Sequence, residues 1–164
     1  MDKNLRQLLT AALFAAMTAA LTFFVKIPVG NGYVHMGDSM IYLAACILPT
    51  RYAIIAAGLG GALSDALGGY AVFIVPTLII KALITLPYES SGDTVLTKWN
   101  TLMVLPAGFI NVLGYFFANL LIFGSGGAHI ALIGDMIQAV GSAVLFILTA
   151  AMLDKIKLKK MLLN

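Results

Sequence analysis

LMVLPAGFINVLGYFFANLLIF, residues 102–123, leads through GSGGA at 124–128 into HIALIGDMIQAVGSAVLFILTAAML at 129–153. Both long runs are apolar on every side, and Asp135 is the one fully charged side chain in the stretch. A helix needs about 20 apolar residues to cross a hydrocarbon layer of about 30 Å. The glycine-rich junction has turn chemistry. The stretch therefore reads as two spanning helices joined tightly. A membrane barrel would need strands of about ten residues with an alternating polar face, and no such alternation is present.

The same reading extends outward. Apolar runs at 6–25, 38–48, 52–67 and 70–86 join those at 102–123 and 129–153 to make six expected spans. The whole chain, 1–164, is one membrane domain. The run at 38–48 is short and implies a tilted or partly re-entrant segment. Lys26, Pro28, Gly30, Asn31 and Gly32 mark the first loop, Pro49-Thr50-Arg51 the second and Gly68-Gly69 the third. Residues 87–101 form the long polar loop. The first run has a basic start, as a signal peptide does. It is nevertheless long enough to span, and no polar domain follows it, so it is taken as the first span.

Composition agrees. The 164 residues are 61% hydrophobic and 10% charged, against roughly 25% charged in an ordinary soluble domain. That balance excludes a soluble enzyme, a disordered chain and a nucleic-acid-binding module. The net charge of +3 comes from Lys3 and Arg6 before the first run and from Lys155, Lys157, Lys159 and Lys160 at the end. Such clusters anchor a protein against anionic lipid on the cytoplasmic side. Six spans put both termini on one side, and Arg51 and Lys98 fall there too, so both termini are expected to be cytoplasmic in a multi-pass cell-membrane protein. The single cysteine, Cys46, gives no disulfide and reads as a small core residue.

Small residues come in rows. Ala12, Ala16 and Ala20 are four apart, with Ala11, Ala15 and Ala19 beside them. Small residues let helices approach closely in lipid. A double alanine face is more than one internal contact needs, so the row at Ala12, Ala16 and Ala20 is a candidate docking face. Gly60, Ser64 and Gly68 read as internal packing.

Polar groups in the spans need a reason, because a charge near the bilayer centre is costly. Lys81 lies within the fourth run on one face with Thr77 and Thr85. It either snorkels to the membrane edge or meets a buried acid or a ligand. Asn111, Tyr115 and Asn119 form a polar stripe on the fifth run. Asp135 and Gln138 share a face of the sixth, and Asp135 either pairs with Lys81 to hold helices or contacts a ligand. Asp65 lies near a helix end and reads as solvated. In the first outer loop, Asp38 is placed to cap the second helix, with Tyr33 and His35 beside it. Convergent aromatic, amide and charged side chains in an apolar bundle describe a small-molecule pocket. It is expected to open outward, with residues 33–38 as a lid.

Catalytic motifs are missing. The sequence has no phosphate loop of the G-x-x-x-x-G-K-[ST] type, no H-E-x-x-H and no G-x-S-x-G. His35 and His129 are far apart, so no metal site is expected, and no cofactor. The chain does not read as an enzyme.

Gly32-Tyr33-Val34-His35-Met36-Gly37-Asp38 leads into an apolar helix and a Leu48-Pro49 turn. Ser64-Asp65, Pro76-Thr77, Ile80-Lys81, Gly114-Tyr115 and Asp135-Met136-Ile137-Gln138 follow in that order. This order resembles the substrate-binding S components of energy-coupling factor (ECF) vitamin transporters, in particular the riboflavin-type family, which includes candidates for pyridoxine and hydroxymethylpyrimidine uptake. The resemblance implies a six-helix fold that captures a vitamin or precursor from outside. It also implies docking through Ala12, Ala16 and Ala20 to a transmembrane coupling subunit driven by two ATPases. Related members often carry Gly-Asn where this chain has Gly134-Asp135. An acid there suits a ligand with a hydrogen-bond donor or a cationic ring nitrogen, such as a pyridine or pyrimidine. Two other readings stay open: a membrane assembly protein whose polar stripes only join helices, and a small ion-coupled carrier.

Overall fold

The computed structural model describes residues 2–29 and 32–163. Its helices are α1 (Lys3–Phe24), α2 (Gly37–Ile47), α3 (Thr50–Gly68), α4 (Ile74–Leu83), α5 (Lys98–Leu102), α6 (Val104–Lys155) and α7 (Leu158–Leu163). A 3₁₀ turn at Ala71–Phe73 leads into α4, and two strands, β1 (Lys26–Val29) and β2 (Gly32–His35), lie between α1 and α2.

Gly124 breaks α6, with φ 75° and ψ −175° inside an otherwise helical run. That conformation is open to glycine and strained for other residues. The arms 104–123 and 125–155 fold back on one another. Phe116 and His129 face each other at 5.7 Å between ring centroids, and a methyl on Gly108 would lie 3.4 Å from the Ala139 methyl. The expected turn at 124–128 is thus a single residue, and the second arm resumes at Ser125. Pro49 opens α3, and Gly69 closes it in the left-handed conformation at φ 82°.

Every residue of α2 is buried. Its shortness follows from its place: α1, α3 and α6 enclose it, so it is a core helix that is apolar all round. Cys46 sits in this core. Around α2, Tyr42 stacks on Tyr88 at 5.3 Å and meets the edge of Phe146 at 5.9 Å. The outside is also apolar. Leu121 is 86% exposed and Phe24 79%, with Ile133, Leu105, Phe109 and Val140 also exposed. An exterior of that kind suits hydrocarbon rather than water. Helix Lys3–Phe24 and the run Lys98–Lys155 have the length and hydropathy to cross a membrane; Gly37–Ile47 and Ala71–Leu83 are shorter apolar helices.

Three expectations are corrected. The first loop contains an antiparallel hairpin in which Lys26 pairs with His35, Ile27 with Val34 and Pro28 with Tyr33. Gly30 and Asn31, assigned to that loop, lie outside the described residues. The polar segment 87–101 is partly helical: α5 starts inside it, capped by the Thr97 hydroxyl, which accepts from the Asn100 N–H at 3.0 Å. The basic tail is not a loose anchor. Lys159 is 1% exposed and donates to Thr94 O at 3.2 Å, while Lys160 pairs with Asp93 at 2.8 Å. Asp154 holds the same loop by accepting from the Val95 and Leu96 N–H groups at 2.7 and 2.8 Å.

Helix α1 lies against α3 through small residues. A methyl on Gly60 would come within 2.7 Å of Ala15 O and 2.9 Å of Thr18 Cβ, so Gly60 serves close packing of α3 on α1, while Gly68 lies against Lys26 and Tyr70 and Ser64 reaches the Tyr33 hydroxyl. Gly60→Ala is expected to cost about 1–3 kcal/mol by overpacking, whereas Gly126→Ala, with nothing within 4 Å, leaves stability unchanged. Melting curves in detergent check this; equal melting of both variants would contradict the close approach.

Candidate functional site

The site begins with an ion pair. Lys81 from α4 reaches Asp38 in the first turn of α2 at 2.7 Å, with 1% and 0% of the two side chains exposed. Lys81 also donates to Asn111 Oδ1 on the first arm of α6 at 2.8 Å. Gln138 on the second arm donates to Asp38 Oδ2 at 2.8 Å. The Gln138 oxygen accepts the His35 N–H of β2 at 3.3 Å. The Lys81 ammonium lies 4.8 Å from the Tyr115 ring centroid, as a cation–π contact requires.

These contacts correct several expectations. Lys81 does not snorkel, and its partner is Asp38 rather than Asp135. Asp38 does not cap α2: the N-cap position is Met36, with no side-chain cap bond. The pull of a buried ammonium outweighs that of a few helix N–H groups at such close range. Asp65 is not merely solvated. It is 4% exposed and accepts the Tyr33 hydroxyl at 2.6 Å.

His35 is buried under the hairpin, and its Nδ1 accepts the Gly37 N–H at 3.1 Å. Burial pushes its imidazole down to about 4, with Asp38 opposing and Lys81 reinforcing. The ring is therefore neutral at pH 7.

Above the ion pair lies a cavity of ≈ 40 Å³ between the hairpin, α3, the 3₁₀ turn and both arms of α6. Of the expected site residues, Tyr33, Tyr115, Asn119, Asp135 and Gln138 line it. His35, Asp38, Lys81 and Asn111 belong to the polar network below, and Gln138 is common to both. The hairpin roofs the cavity closely because the second arm has glycine beneath it: a methyl on Gly134 would meet Val29 Cγ1 at 3.0 Å. The Tyr115 hydroxyl is tied to Thr77 at 2.9 Å. Asp65, Tyr70 and Phe73 also line the cavity. They were not among the expected site residues. Their placement depends on how the hairpin closes over the end of α3, which no local spacing encodes.

Among the described residues no group of three or more His, Cys, Asp or Glu side chains is placed to hold a metal ion. The site sets ring faces, amides and carboxylates around a small cavity.

Two comparisons bear on this geometry. The family model described as "ECF-type riboflavin transporter, S component" matches residues 2–155. A Pyrococcus woesei protein described as an "uncharacterized protein in gap 3'region" is 32% identical over 123 residues, covering 74% of this chain and 82% of its own.

The neutral His35 gives a pH signature. The unfolded chain takes up the imidazole proton below its ordinary value of about 6.5, and the native state does so only near 4. Between those values the unfolded state binds more protons, so this contribution to stability is lost as pH falls, by up to about 3 kcal/mol. Melting from pH 7 to pH 4 is expected to show a steeper loss in wild type than in His35→Gln. Parallel profiles would contradict a buried neutral imidazole.

Proposed function

This chain belongs to the ECF-type riboflavin transporter S component family, and from that premise we propose how it captures its substrate and which substrate it takes. Members of the family are substrate-binding subunits for vitamin-type compounds, and they work with a membrane coupling component and ATPases. The chain is thus a membrane transport protein and not an enzyme.

The finer reading is a six-span bundle with both termini in the cytoplasm and a pocket open to the outside under the β1–β2 hairpin. The observation that carries it is the cavity itself. Polar residues from the first loop and from two distant runs, Tyr33, Asn119 and Asp135, meet around one enclosed space beside aromatic rings. Three buried acceptors around it, Asp65 Oδ2, Asn119 Oδ1 and Asp135 Oδ2, have no partner in the protein, which favours a ligand over polar groups that only join helices. At ≈ 40 Å³ the cavity holds a few water-sized groups at most. The hairpin must lift to admit a vitamin, and a single heteroaromatic ring asks for less lifting than a three-ring flavin. The substrate is therefore a small heteroaromatic such as pyridoxine or hydroxymethylpyrimidine, with Tyr33, Tyr115, Asn119, Asp135 and Gln138 in contact. His35, Asp38, Lys81 and Asn111 hold those contacts in place.

The two alanine rows of α1 support the docking assignment. Ala11 and Ala19 are buried and Ala15 is partly buried, on the side of α3, while Ala12, Ala16 and Ala20 are exposed. A smooth small-residue row left open to lipid suits a second membrane helix. That helix would belong to the coupling subunit, whose two ATPases supply the energy that this chain has no motif to harvest.

A thermal-shift screen against pyridoxine, hydroxymethylpyrimidine, thiamine and riboflavin tests the binding reading. A ligand at 100 times its Kd adds about 2.7 kcal/mol to apparent stability. No shift with any of them would favour the assembly reading. Asn119→Ala is expected to weaken the bound ligand about tenfold, as loss of a buried hydrogen bond does. Ala16→Trp is expected to keep ligand binding and to lose co-purification with the coupling subunit and ATPases; normal assembly would contradict the docking face.

A further inference from the structure

The cavity wall holds three buried side-chain acceptors that meet no donor in the protein. The Tyr33 hydroxyl donates to Asp65 at 2.6 Å, and the Asn119 amide donates to Tyr115 O at 2.9 Å. The Gln138 amide donates to Asp38, and its oxygen takes the His35 N–H. The Tyr115 and Thr77 hydroxyls bond each other. The half-buried Tyr70 at the rim keeps its hydroxyl. Against these, Asp65 Oδ2, Asn119 Oδ1 and Asp135 Oδ2 have no hydrogen-bond partner in the protein, and all three residues line the cavity. Asp65 and Asn119 are each 4% exposed, so water cannot readily reach their acceptors.

The charge is equally one-sided. Asp65 and Asp135 are on the wall, and no basic residue lines it. Two lysines lie near the wall, Lys81 bound into the network below and Lys26 at the rim against two of its rings. Lys81 is held by Asp38 and Asn111. Lys26 lies over the rings of Phe23, Tyr33 and Tyr70 at 4.8, 5.3 and 5.6 Å. A buried acceptor without a donor is costly, and a buried carboxylate more so. The partner that removes the cost must bring donors, and positive charge best of all. Tyr33, Tyr70 and Tyr115 already have a lysine ammonium at 5.3, 5.6 and 4.8 Å, and the Phe73 ring on the same wall suits a cation as well as an aromatic ring.

Resting on the reading of this cavity as the vitamin site, we infer that it selects a cationic, amine-bearing aromatic ring and rejects phosphate esters and carboxylates. Asp65 and Asp135 set the charge preference and Asn119 accepts a further donor. Asp65 thereby becomes a specificity residue, with Tyr33 as the side chain that orients it.

Pyridoxamine and pyridoxine differ by an aminomethyl in place of a hydroxymethyl on the same ring, and pyridoxamine 5′-phosphate adds an anion. Titration calorimetry of the purified wild-type protein with these three, and with riboflavin, tests the inference. Pyridoxamine is expected to bind about tenfold or more tighter than pyridoxine, the gain of a charge-assisted hydrogen bond. The phosphate ester is expected not to bind in the same range. Asp65→Asn and Asp135→Asn are each expected to narrow the amine preference to about threefold or less. Pyridoxine binding as tightly as pyridoxamine, or binding of riboflavin or the phosphate ester without the amine, overturns the charge selection and leaves the vitamin site standing. Absence of binding by all four overturns the charge selection, and absence of any thermal shift with hydroxymethylpyrimidine and thiamine as well overturns the vitamin site.

Discussion

A lysine and an aspartate shut away from water organise this molecule. Lys81 and Asp38 meet at 2.7 Å with almost no exposed surface, in a protein whose surroundings at that depth are side chains and, beyond them, an apolar exterior. Each charge alone would carry a desolvation penalty of several kcal/mol. Together, and with Asn111 accepting from Lys81 and Gln138 donating to Asp38, they are tolerated. The cost of separating them ties α2, α4 and both arms of α6 to one point. Among the described residues the fully buried α2 has no other salt bridge, and the hairpin joins through the His35 N–H on Gln138.

The cavity rests on that point. Gln138 is both a member of the network and a wall of the cavity, so the floor of the cavity is as fixed as the ion pair. The roof is different in kind. Two short strands form it, held by the Tyr33 hydroxyl on Asp65 and the His35 N–H on Gln138 and seated on Gly134 by van der Waals contact. A rigid floor of committed polar groups beneath a light cover suits a binding subunit that must enclose its ligand completely, and it leaves the outer face of α1 available for a partner.

Much of this was legible in the order of residues, because lipid imposes simple rules. Each of the six long apolar runs contains a helix, and Gly69 and Gly124 turn where glycine was needed. The polar residues singled out at 33–38, 81, 111–119 and 135–138 all gather at one end of the bundle. What could not be read is who pairs with whom. Choosing Asp38 over Asp135 for Lys81 requires knowing that α2 lies in the middle, and an eleven-residue run looks like a weak span rather than a core. The hairpin was hidden because Pro28 and the neighbouring glycines signal a loop while Ile27, Val29 and Val34 signal strand. Asp65 looked solvated because its cover arrives from residues more than thirty positions earlier. Lys159 looked like a lipid anchor because the loop carbonyls that bind it are distant in sequence.

The ion pair is the organising contact, and a double-mutant cycle with Asp38→Asn, Lys81→Met and the combination measures its strength. Each single variant strands one buried partner and is predicted to lose about 3–5 kcal/mol. The double variant is predicted to lose clearly less than the sum, with a coupling energy of about 1–3 kcal/mol. Additive losses would contradict the account, since they would mean that the two side chains act independently and that something else holds α2, α4 and α6 together.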